Sequence, residues 1–209
     1  KQILMTQNLS DKDATIATDA LIKADLRGVE SHGVSNMLRA YLGAFKSNSL
    51  NPKPNWKVVK ETPSCATINS DNGLGIVVAP QAMEIAVEKA KKTGAGIVTM
   101  NNCGHLGMLA YHSMIASQND MIGTTMAACS PRMVPTYSSV RALGTNPISY
   151  SAPADKLPDF VFDAAMTSVA GNKIVLASRL DVALSKGWIA DKNGNPIMEE
   201  ININELDNE

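Results

Sequence analysis

The chain has 209 residues, 44% hydrophobic and 19% charged, and its 19 Lys and Arg against 20 Asp and Glu leave a formal charge of −1. That length is ample for a packed core, and the apolar content excludes wholesale disorder. The charge balance argues against generic nucleic-acid binding, which needs a basic surplus, and no apolar run approaches the roughly 18 residues of a membrane-spanning helix.

Ser10 reads as the N-cap of a first helix, with Asp11 and Asp13 in its first turn and good helix formers through Leu26. Gly28 closes it. A second helix is expected from Val34 to Lys46, with Met37, Leu38, Tyr41, Leu42 and Phe45 on one face. Pro52 and Pro54 break that pattern. Short strands follow at 56–60 and 66–69, and Asp71-Asn-Gly73 reads as a turn. Pro80 to Lys92 is a strong helix, with the proline in its first turn and Gly94 as its cap. Strands are expected at 96–100, 121–126, 147–150 and 160–162, with helices at 107–117 and 170–184. Helix and strand alternate from residue 66 onward. The fold class is α/β, with the first 50 residues as a helical appendage.

Cys65, Cys103 and Cys129 are the three cysteines; the odd count and the lack of a Cys-x-x-Cys pair speak against a disulfide framework or zinc knuckle and for a reducing, cytoplasmic setting. No basic, apolar leader is visible. The sequence starts at Lys1 and finishes in an acidic, polar stretch from Glu200 to Glu209, so a fragment of a longer chain is expected.

The three histidines are His32, His105 and His112. His105 stands in Asn101-Asn-Cys-Gly-His-Leu-Gly107, directly after an expected buried strand and before a helix. Ligands usually bind at that end of an α/β strand, and flanking glycines let a ligand approach the backbone, so His105 suits a general acid/base role. His112 lies mid-helix and reads as structural. A metal site of Cys103, His105 and His112 is an alternative, pointing to a metal-dependent hydrolase, although zinc sites usually show tighter pairs. No Gly-x-Gly-x-x-Gly follows any strand, so a dinucleotide would not bind through the usual Rossmann fingerprint. Asp163-Ala-Ala-Met-Thr-Ser168 puts an acid and two hydroxyls at a strand end, which suits a ribose, a phosphate or a plain helix cap equally.

Taken in order, Ser31-His-Gly33, Asp71-Asn-Gly-Leu-Gly75, Gly104-His-Leu-Gly107, Leu143-Gly-Thr-Asn-Pro147 and Asp163-Ala-Ala-Met-Thr-Ser168 resemble the malate/L-lactate dehydrogenase family, which includes ureidoglycolate and sulfolactate dehydrogenases and imino-acid reductases. Gly187-Trp-Ile-Ala-Asp-Lys-Asn-Gly194 resembles its late motif. The resemblance implies a mixed-sheet, non-Rossmann fold and usually a homodimer. It implies hydride transfer between NAD or NADP and a small 2-keto or 2-hydroxy acid such as malate or lactate.

By the same resemblance His105 is the proton donor and acceptor, and Ser31 and His32 line the substrate and nicotinamide pocket. Cys129, Ser130, Gly144, Thr145, Asn146, Pro147, Asp163, Ala164 and Ala165, with His32, touch the cofactor. Residues 1–65 are then a helical segment on the substrate and dimer side, and 66–209 an incomplete NAD(P)-binding domain. The departures concern the substrate. Where relatives commonly carry an arginine suited to a substrate carboxylate stands Asn36, with Arg39 nearby as a substitute. Tyr41 is one place later than the usual tyrosine, which suggests a shifted helix register. Ser130 stands where relatives often have an aspartate. Relatives also continue beyond this endpoint, so a weakly active chain or a non-catalytic remnant is a further alternative.

Overall fold

A computed structural model describes residues 1–205; the last four residues of the acidic tail lie outside the described residues. Six α-helices are named here in chain order: α1 (Gln2–Met5), α2 (Asp11–Leu26), α3 (Arg39–Lys46), α4 (Gly75–Thr93), α5 (Ala110–Ser117) and α6 (Gly171–Leu180). The strands are β1 (Lys57–Glu61), β2 (Cys65–Gly73), β3 (Ile97–Cys103), β4 (Gly123–Met126), β5 (Ile148–Ala152) and β6 (Phe160–Ala164). They form two three-stranded sheets, ordered β1-β2-β3 and β4-β5-β6. In the first, β1 runs antiparallel and β3 parallel to β2.

The chain divides into two compact units, one of Lys1–Thr125 with Ser149–Asp163, the other of Met126–Ile148 with Ala164–Glu209. The first unit does not part at residue 65. The small, buried Ala14, Ala17 and Ala20 of α2 pack in one cluster with Met37, Tyr41 and Phe45 and with Leu74, Ile76 and Val77 at the start of α4. The N-terminal helices therefore share their core with the segment that follows β2, and neither could bury its apolar face alone. On the sheet side, Ile68 of β2 and Val78 and Ala82 of α4 form a second cluster, backed by Trp56, Ile85, Val98 and Met100.

Ser10 caps α2 as expected, its hydroxyl accepting from the Asp13 amide at 3.1 Å. In the first unit, several expectations need correction. The helix expected from Val34 opens instead as a π-helical turn over Val34–Leu38 and becomes α-helical only at Arg39. Asp71-Asn-Gly73 is not a free turn but the end of β2, with Asp71 and Asn72 at φ 52° and 54°. The Asp71 carboxylate accepts from the Asn51 side chain and the Asn55 amide, both at 2.9 Å, which secures the proline-containing loop beside it. Helix α4 begins five residues before Pro80, because Gly75 to Ala79 are all buried and their burial outweighs the missing proline donor.

In the second unit α6 stops at Leu180, where Asp181 turns left-handed at φ 54°, short of the expected Leu184. The segment after Gly187 folds back on itself: Gly187 donates to the Ile197 carbonyl at 2.7 Å and Ile197 to that of Ile189 at 3.0 Å.

Candidate functional site

His105 sits in the connection between β3 and α5, at the C-terminal end of a parallel strand. Two glycines shape the approach. A Cβ at Gly75 would strike the carbonyls of Gly104 and His105, so the histidine loop lies directly on the start of α4. Gly107 adopts φ +67°, a conformation side chains disfavour, and a Cβ there would lie 2.6 Å from Ile76 Cγ2.

The Tyr41 hydroxyl lies 2.9 Å from His105 Nδ1, and the Gly107 amide donates to the same nitrogen at 3.3 Å. An amide can only donate, so neutral His105 carries its proton on Nε2 and Tyr41 donates as well. The His32 ring stacks on that of His105, with centroids 5.4 Å apart and planes 17° from parallel. Ser31 Oγ is 2.9 Å from His32 Nδ1, and burial lowers the His32 pKa, which favours its neutral form. Tyr41 is 2% exposed and burial raises its pKa, so it remains a phenol across the physiological range.

Asn36 is buried, and its side-chain amide donates to the Ser31 carbonyl at 2.9 Å, bracing the Ser-His pair from behind. Arg39 is exposed at the first position of α3. The π turn immediately before it holds one residue more than an α-helical turn.

Asp163 acts differently from the plain cap of its own segment. Its Oδ2 accepts from the amide of Ala110 at 2.7 Å, so it holds the N-terminus of α5. Burial raises the Asp163 pKa, against the backbone donors and Arg27, which lower it.

In the second unit, the residues expected to touch a cofactor are laced together by backbone bonds. The Cys129 amide donates to Asn146 Oδ1 at 3.1 Å, Ala127 to the Pro147 carbonyl at 3.2 Å, and Met166 to the Thr145 carbonyl at 2.8 Å. Gly144 backs onto the Cys129 carbonyl, while Cys129 and Ser130 are exposed and Ala164 and Ala165 half-buried.

The metal alternative gathers no support. His112 is 1% exposed and its Nε2 lies 2.8 Å from the Leu106 carbonyl, and burial raises the Cys103 thiol pKa. Among the described residues, no three His, Cys, Asp or Glu side chains are placed to hold a metal ion. No described helix is long and apolar enough to cross a membrane.

The contact between Tyr41 and His105 is what sequence reasoning missed. Tyr41 was legible only as a buried position on an amphipathic face. The available signal was its phenol, since a buried tyrosine usually seeks a polar partner.

The profile of the malate/L-lactate dehydrogenase family matches residues 1–203. L-sulfolactate dehydrogenase of Methanocaldococcus jannaschii is 40% identical over 194 residues, which are 93% of this chain and 56% of that protein. Its solved structure superposes with a TM-score of 0.84 at 39% identity, over 95% of this chain and 57% of that one. The crystal structure of malate dehydrogenase from Entamoeba histolytica gives a TM-score of 0.89 at 30% identity, over 94% and 55%. Ureidoglycolate dehydrogenase (NAD(+)) of Escherichia coli O157:H7 is 29% identical over 203 residues, 97% of this chain and 58% of that protein. The chain thus spans little more than half the length of the curated relatives it matches. A profile match over nearly its whole length, with these relatives and this shared architecture, shows that the chain belongs to the malate/L-lactate dehydrogenase family.

Proposed function

We propose that this chain carries the proton-transfer half of an NAD(P)-dependent 2-hydroxy-acid dehydrogenase. The observation that carries this reading is the His105 arrangement: a strand-end imidazole held at Nδ1 by Tyr41 and Gly107 and stacked on His32. A bound nicotinamide supplies or accepts the hydride. His105 handles the proton as its imidazolium: Nε2 gives a proton to the carbonyl oxygen as hydride reaches the carbonyl carbon, which leaves the ring neutral with its remaining proton on Nδ1, and in reverse the bare Nε2 takes the proton from the hydroxyl. The Tyr41 hydroxyl can turn to accept from Nδ1 when the ring is doubly protonated, which keeps its orientation through the cycle.

Cys129, Ser130, Gly144, Thr145, Asn146, Pro147, Ala164 and Ala165 would hold NAD or NADP, the residues of 66–209 serving as the cofactor side. Support comes from their backbone lacing and from the family to which the chain belongs. Asp163 would contribute through α5, because one of its oxygens already serves Ala110. On the substrate side Ser31 and His32 face the reacting group. Asn36 supports them through the Ser31 carbonyl, and exposed Arg39 is the cation that a substrate carboxylate would use. A homodimer working in the cytoplasm belongs to the same proposal.

The test follows the absorbance of NADH or NADPH as the purified protein meets a panel of 2-keto and 2-imino acids. Turnover on one of them is expected, and His105→Ala should lower it by roughly 10²–10⁴-fold. Cofactor binding without turnover on any of them would place the chain among non-catalytic remnants. Neither binding nor turnover overturns the proposal.

A further inference from the structure

The structure assigns His112 a positioning role: from inside α5 its buried ring holds the loop that presents His105. That loop leaves β3 at Gly104, whose amide donates to the Gly73 carbonyl at 2.9 Å, and enters α5 at Ala110, whose amide donates to Asp163. Between these two anchors the chain must turn through Gly107 in its left-handed conformation. His112 holds that stretch from outside it, its Nε2 lying 2.8 Å from the Leu106 carbonyl. The Leu106 carbonyl belongs to the Leu106–Gly107 peptide, so the peptide held by His112 is the one whose amide donates to His105 Nδ1.

A carbonyl can only accept. His112 must therefore carry its proton on Nε2, which leaves Nδ1 bare, buried and without a protein partner. Mere filling of this space would favour an apolar ring, which brings no orphaned nitrogen. The imidazole is retained at the cost of that nitrogen, and what it supplies is the bond to Leu106. Its ring packs edge-on against Tyr111, at 5.5 Å and 88°, which fixes the direction in which Nε2 points. Burial lowers the His112 pKa to about 4, so the ring stays neutral and keeps a single tautomer near neutral pH. Two neutral histidines of the same tautomer then serve one loop, one reacting and one holding.

This role matters for catalysis only on the reading that His105 moves the proton, but it is measured without cofactor or substrate. The chain has three histidines, so ¹⁵N-labelled rings can be assigned individually by long-range ¹H–¹⁵N correlation. In the wild-type protein His112 and His105 should both show a protonated Nε2 and a bare Nδ1. His112→Phe keeps a buried aromatic ring but removes the donor: His105 should become a mixture of tautomers, and exchange of the Gly107 amide should quicken by about tenfold or more. Exchange within α4 should stay unchanged. His112→Gln, whose side-chain amide can still donate, should restore the wild-type pattern.

A folded His112→Phe variant with wild-type His105 tautomer and Gly107 exchange overturns the assignment. So does wild-type His112 with its proton on Nδ1, a measurement that stands even if both variants fail to fold. Loss of the dehydrogenase reading would show in the turnover assay alone, with these spectra unaltered.

Discussion

Tyr41→Phe removes one oxygen from a side chain that is 2% exposed and leaves the ring, and hence the packing against the α2 face, in place. What disappears is the 2.9 Å contact with His105 Nδ1. A neutral hydrogen bond is worth about 0.5–1.5 kcal/mol net and one to a charged partner about 1.5–3 kcal/mol. During turnover the ring passes through its charged form, so the loss falls where these ranges meet, at about 1.5 kcal/mol. That corresponds to roughly a tenfold drop in kcat/KM. The proton-carrying imidazole itself remains, and the Gly107 amide still holds Nδ1 of the neutral ring, which is why the expected loss is smaller than the roughly 10²–10⁴-fold for removing the imidazole. The loss should appear mainly in kcat, since the hydroxyl touches the proton carrier rather than substrate. Initial rates over a range of substrate concentrations, with urea unfolding as the control for stability, make the measurement. An unchanged kcat with intact folding would refute the idea that Tyr41 orients His105, and an equal loss of stability would reduce its role to packing.

Two other outcomes concern stability. The His112 pKa falls from 6.5 to about 4 on folding, so folding disfavours its protonated form: no penalty exists above pH 6.5, and it grows as pH drops towards 4. The sum is on the order of 3 kcal/mol, most of it present by pH 4.5. Comparison of wild-type and His112→Phe unfolding free energies at pH 7 and 4.5 isolates it, because Asp163, with a raised pKa, contributes in the opposite sense to both proteins; equal pH dependence in the two would contradict it. Gly107→Ala should cost about 1–3 kcal/mol, from the left-handed backbone and the clash with Ile76, measured by urea unfolding. A neutral result there would mean that the loop relaxes freely.

Local chemistry made much of the fold legible. Ser10, the alternation after residue 66 and the glycines around His105 each announce their structure through short-range rules. The start of α4 was hidden because Pro80 looks like a first-turn residue, while the burial that extends the helix back to Gly75 is a tertiary effect. The π turn was hidden for a different reason: periodicity averages over several residues and does not register one extra residue in a turn. Within the site, His105, Ser31 and His32 were found by motif and are brought together by the fold. The partners of Tyr41 and Asp163 are not legible in the sequence because they lie 64 and 53 residues away, on elements that sequence alone does not bring together.

The wide turn at Val34–Leu38 bears on how the site can change over time. Each residue added to or removed from a helix rotates everything beyond it by about 100°. Deleting one residue from that turn would swing α3 round, carry Tyr41 away from His105 and bring a neighbour to face it. Substitutions can alter only what a side chain is, whereas a single-residue length change here alters which side chain is consulted.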